Sequence, residues 1–140
     1  MSVFPLLRAT WCGWCVVRAE SHATEPSLHT RLASITALPG AARHDAGANV
    51  PRLRARWRLL TAGRGEHRAE HLFLAASLRR LGYPAHLVIG REAVPRGSSA
   101  RYVTWVSVDG RVVSTGLPVT ESHVPLAALP ASAVERDDDC

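Results

Sequence analysis

Apolar positions recur at helical spacing as far as Leu81 and then switch to alternation. Leu7, Trp11 and Cys15, with Val16 beside them, predict a helix over 6–19 with that stripe inward. Thr24, Glu25 and Pro26 read as a helix start, proline being tolerated in a first turn, and Leu28, Leu32 and Ile35 give the helix its inner face up to Pro39-Gly40. Residues 40–49 are small and polar, which predicts a loop. Pro51 then opens a third helix with Leu53, Trp57 and Leu60 inward. After Gly63 and Gly65 comes the most consistent stretch, in which His67, His71, Leu74, Leu78 and Leu81 share one helical face that ends at Gly82.

Tyr83-Pro84 forces extended backbone, because proline excludes the helical conformation from the residue before it. Ala85 to Gly90 then reads as a buried strand, and Arg91 to Ser99 as a loop. From Arg101 to Val108 the chain alternates. Tyr102, Thr104, Val106 and Val108 lie on one face, and Val103, Trp105 and Ser107 on the other. Asp109-Gly110 is a two-residue hairpin turn, and Arg111 to Ser114 returns as the partner strand. The stretch His123 to Leu129 fits a short helix or an edge strand. The expected fold class is α+β, with N-terminal helices and a central helix packed on a small antiparallel sheet. One domain over 1–134 accounts for the pattern, and Glu135 to Cys140 is expected to be a disordered acidic tail.

Composition narrows the function classes. All 17 basic residues are arginine, for a formal charge of +5. The chain also lacks glutamine and has one asparagine, Asn49, a bias typical of GC-rich coding, so the charge alone does not indicate an anionic partner. Arg52, Arg54, Arg56 and Arg58 form the one cluster and are expected on a solvated face. No aromatic-interleaved basic motif is present, so nucleic acid is not expected as a partner. The apolar N-terminal run is broken by Pro5 and Arg8 and falls short of the roughly 20 apolar residues of a membrane span. It also lacks the features of a signal peptide, so a cytoplasmic location is expected.

Trp11-Cys12-Gly13-Trp14-Cys15 resembles the thioredoxin redox motif. Too little chain precedes Cys12 for that fold's first strands and helix, and no proline-loop signature follows. Cys12 and Cys15 are therefore expected as packing residues.

A second resemblance covers His67 to Val112. The segment HRAEHLFLAASLRRLGYPAHLVIG and the later YVTWVSVDGRV resemble the central helix, first strand and hairpin of the transglutaminase-like (papain-like) superfamily, in the lasso-peptide leader-peptidase or microcin-processing form. The resemblance implies that fold and a place in bacterial natural-product biosynthesis. It also implies a departure from the family's chemistry, a cysteine nucleophile activated by histidine and oriented by aspartate. His67 stands at the position of the cysteine, Val103 at that of the histidine, and Ser114-Thr115 where the aspartate would follow. Cysteine-protease activity is accordingly expected to be absent.

The replaced site would be a cleft between a helix N-terminus and the sheet. His67, Glu70 and Tyr102 are the expected acid–base groups of a tailoring or cyclising enzyme, and His71, Arg101, Val103, Thr104, Trp105 and Thr115 the expected binding residues. The ligand would be a small-molecule or peptide biosynthetic intermediate, and a biosynthetic partner protein is a further expected contact. A non-catalytic protein that holds a precursor peptide is the alternative. A third reading takes His67-Arg68-Ala69-Glu70-His71 as the H-x-x-E-H pattern of zinc peptidases, with Glu121 or His123 as third ligand. The expected assignment carries neither metal nor other cofactor.

Overall fold

In a computed structural model, residues 3–20, 25–40, 45–95, 97 and 99–130 are described. The chain runs α1 (Val3–Glu20), α2 (Glu25–Ala33), α3 (Ala46–Leu60), α4 (His67–Arg80), β1 (Ala85–Glu92), β2 (Tyr102–Val108), β3 (Arg111–Val112), α5 (Val119–Ser122) and β4 (His123–Leu129). The expected α+β class holds. The four strands form one antiparallel sheet in the order β3-β2-β1-β4. His123 to Leu129 is its edge strand. The expected acidic tail and the Thr24 helix start lie outside the described residues.

α4 is the axis of the fold. It packs against α1, α2 and α3 on one side and against β1 and β2 on the other. From Leu72 to Leu78 every residue is buried, so the helix is enclosed on all sides beyond its first turn. A single core of Leu53, Trp57, Phe73, Leu74, Leu78, Leu87 and Val106, among others, joins the helices to one face of the sheet. On the other face Val88, Trp105 and Val119 make a smaller cluster beneath α5.

The structure corrects several of the sequence readings, among them the end of α2, which stops at Ala33 and leaves Ile35 outside it. In α1, Leu7, Trp11 and Cys15 point outward, and Leu7 and Trp11 are 50% and 68% exposed. The inward face is Leu6, Ala9, Gly13, Trp14 and Val17, with Val16 packed against the core as expected. The reason is close approach: a Cβ on Gly13 would lie 2.8 Å from the Phe73 carbonyl oxygen and 2.9 Å from Phe73 Cδ2. A small residue wins at Gly13 because α4 passes so close there. A further correction concerns α3, which begins at Ala46, so Pro51 lies inside it. Leu60, at its end, is exposed because the last turn runs past the core. Finally, Cys12 is half-buried and Cys15 is exposed, both as free thiols, so only the first resembles a packing residue.

The hairpin turn is as the sequence suggests. Asp109 and Gly110 both have positive φ, 49° and 74°, the type I′ geometry that matches strand twist. The returning strand is shorter than the alternation suggests. Val113 N–H still donates to the Val106 carbonyl at 2.9 Å, but the fully buried Ser114 turns its hydroxyl in to accept from Val106 N–H at 2.8 Å. A side chain thereby ends the ladder, and the chain leaves β2 there.

Candidate functional site

The departure of the chain at Ser114 opens a large concavity. It is a cleft of about 1060 Å³ between the N-terminus of α4, the first residues of β2 and the segment from Ser114 to Val119. His67, Arg68 and His71 line it from α4, Arg54 from α3, Ile89 from β1, and Tyr102, Val103 and Thr104 from β2. Thr115, Gly116 and Leu117 form the facing wall. Six of the nine residues expected at the site therefore meet here: His67, His71, Tyr102, Val103, Thr104 and Thr115.

The other three lie elsewhere. Trp105 is 3% exposed and points to the opposite face of the sheet, where its ring meets the His123 imidazole edge-on at 6.5 Å. Strand alternation puts it there, since it is one residue on from Thr104. Arg101 is exposed just before β2, and its main chain is tied to Glu92 through two bonds, at 3.1 Å and 3.3 Å. Glu70 sits behind the cleft in an ion pair, with Arg54 Nε donating to its Oε1 at 2.6 Å. The second amino group of Arg54 donates to the Ser114 carbonyl. Arg54 thus joins α3, α4 and the cleft wall, and Glu70 is held as a positioning group.

His71 is the most constrained of the lining groups. Its Nδ1 is 2.9 Å from Thr104 Oγ1, in a hydrogen bond that spans helix and sheet. Burial lowers its pKa from the ordinary histidine value, and the Arg54 and His67 charges add to that against the opposing pull of Glu70. The neutral ring is therefore the folded-state form. The other ring nitrogen, Nε2, has no partner among the described residues. His67, one turn earlier, and Tyr102, 67% exposed, stand at the open rim.

The lowered pKa has a consequence for folding. His71 and His86, which is also lowered by burial, bind protons more readily in the unfolded chain than in the native one. Their contribution is thus present above the ordinary value of 6.5 and lost as pH falls through the lower native values. Thermal unfolding should show the melting temperature falling between about pH 7.5 and about pH 5, with a shallower fall in His71→Gln. An equal slope in both proteins would remove His71 from the account.

The zinc reading finds no ligand set. Among the described residues no three His, Cys, Asp or Glu side chains are grouped to hold a metal ion. Glu70 is committed to Arg54. His123 lies on β4, beyond β1 from the cleft, and its Nδ1 is 2.8 Å from Ser122 Oγ.

Arg54, expected on a solvated face, instead pairs with Glu70 at the cleft, and Arg68 and the wall residues Ser114, Gly116 and Leu117 were not among the expected site residues. Arg54 had a legible signal, because it follows Leu53 and so borders the buried stripe of α3. The wall had none, since its position depends on where β3 stops. Among the described residues no helix is long and apolar enough to cross a membrane. Comparison with protein-family models, curated proteins and solved structures gives no match.

Proposed function

We propose that this chain is a repurposed transglutaminase-like protein of bacterial natural-product biosynthesis, and that it acts on a biosynthetic intermediate held in the cleft. The reaction class is acid–base tailoring or cyclisation rather than thiolate attack. One observation carries the reading: the His71 imidazole lines the cleft with Nδ1 anchored to Thr104 and with Nε2 unpartnered among the described residues, and burial favours its neutral form. If Thr104 accepts from Nδ1–H, Nε2 is a base. If Thr104 donates to Nδ1, Nε2 carries the proton and is an acid. Either tautomer gives the bound intermediate one proton-transfer group of fixed orientation, while Arg54 holds the Glu70 carboxylate behind it. His67 and Tyr102 at the rim are placed to contact the ligand.

A positioned general acid or base contributes on the order of 10²–10⁴-fold. In a reconstituted pathway, His71→Gln should reduce product formation by about that factor with little change in melting temperature near neutral pH. His67→Ala and Tyr102→Phe should give smaller losses. Unchanged product from all three variants, together with Glu70→Ala, would sink the enzymatic reading. The alternative, a non-catalytic protein that holds a precursor peptide or partner, is favoured by the openness of the rim, where His67 and Tyr102 are both exposed. It expects affinity for the intermediate, sensitivity of that affinity to cleft mutations, and no turnover.

A further inference from the structure

We propose that the cleft receives an extended, acidic peptide segment as an added strand on the free edge of β2 at Tyr102–Thr104. The proposal rests on the cleft being the working site and names the class of ligand. Its starting point is the direction of the main-chain groups. Val106 offers both its carbonyl and its N–H toward β3, to Val113 N and Ser114 Oγ. Arg101 offers its carbonyl toward β1, to Glu92 N–H at 3.1 Å. Main-chain groups alternate along a strand, so Tyr102 and Thr104 direct theirs the same way as Val106. β3 ends at Val112, and among the described residues neither Tyr102 nor Thr104 has a main-chain partner on that side.

That unpaired edge borders the cleft, and Ser114 prevents the chain's own ladder from continuing along it. Sheet edges left open in this way are usually blunted by charge, proline or a covering segment. The other edge of this sheet follows that rule, since β4 carries Pro125 and is contacted by α2. The β2 edge instead faces a cleft of about 1060 Å³. An extended chain rises about 3.3 Å per residue, so a segment of a few residues would pair with Tyr102 and Thr104 in the place β3 vacates. His71 engages Thr104 through both its hydroxyl and its backbone, which leaves the Tyr102 main chain and the Thr104 N–H as the recognising groups.

Charge sets the character of the segment. Arg54 and Arg68 bring positive charge to the cleft lining, and none of the lining residues is an aspartate or glutamate. Arg54 is paired with Glu70, while Arg68 reaches Glu20 at 3.5 Å and keeps 66% of its side chain exposed. Acidic side chains flanking the added strand would meet this rim.

The test uses the full chain, immobilised, and a pooled library of acetylated octapeptides with aspartate or glutamate at every second position. A matched pool carries lysine there. The acidic pool should be retained over the lysine pool. Retained members should bind at least about tenfold more weakly once alternate amides are N-methylated. Amide exchange of the full chain should show Thr104 N–H exchanging faster than Val103 and Trp105 in the free protein, then slowing when a retained peptide is added. Three results would each overturn the proposal: no preference for the acidic pool, unchanged affinity after N-methylation, or unchanged Thr104 exchange at saturation. The two readings fail separately. Loss of product in His71→Gln with no peptide retained leaves the acid–base site without this ligand class. Peptide pairing with normal product from His71→Gln leaves the ligand class without the acid–base role.

Discussion

Phe73→Ala should destabilise the protein by about 3–5 kcal/mol, a large share of the roughly 5–15 kcal/mol that holds a domain folded. Phe73 is fully buried in the middle of α4. Its ring lies 5.2 Å from that of Trp57, which in turn meets Trp14 edge-on at 6.1 Å. Truncation removes the ring that ties α4 to α3 and, through Trp57, to α1. The helices on three sides cannot all collapse into the space, so the cavity cost adds to the lost transfer energy. Urea unfolding should show a lower midpoint with an unchanged slope. A shift below about 1 kcal/mol would mean that the three-helix junction repacks freely, contrary to the enclosure of α4.

The second large effect is a reversal of sign. By helix propensity alone, glycine within an α-helix is about 1 kcal/mol worse than alanine, so a larger residue at position 13 would be expected to stabilise α1. Gly13→Val should instead cost about 1–3 kcal/mol or more, because the added Cβ meets the Phe73 main-chain oxygen at 2.8 Å and the backbone has nowhere to move. The neighbouring hydroxyl gives the contrast. Ser77 Oγ is buried against Gly13 and has no hydrogen-bond partner among the described residues, so Ser77→Ala should be neutral or mildly stabilising. Paired urea titrations of the two variants check both signs. Equal destabilisation by both would show that Ser77 has a polar partner.

These two sites also show what the sequence could and could not convey. The central helix, the strand after Tyr83-Pro84, the Asp109-Gly110 hairpin and the α+β order were legible because periodicity and turn chemistry agree there. The inner face of α1 was not. Leu7, Trp11 and Cys15 make an apolar stripe of their own, but the distance at which α4 passes favours the face that carries Gly13, and no local pattern encodes that distance. The cleft shows the same division. His67, His71, Tyr102 and Thr104 were selected because the resemblance implies a cleft between the helix N-terminus and the facing strand, and helix and strand spacing puts each pair on one face. Trp105 was placed there against its own alternation, and a π-rich side chain next to a candidate site proved a poor guide to the direction in which it points. Glu70 was legible as a member of the first turn but not as the partner of Arg54, a residue 16 positions earlier in the chain.

The enclosure of α4 has an evolutionary side. From Leu72 to Leu78 a change of residue disturbs packing on every face, whereas His67 and Arg68 in the first turn are exposed, Arg68 reaching Glu20 at 3.5 Å. A helix built this way separates the part that must be inherited from the part that is free to vary. New side chains can be tried at the mouth of the cleft without retuning the interior, so a lineage carrying this scaffold could exchange one reactive group for another in single steps while remaining folded throughout.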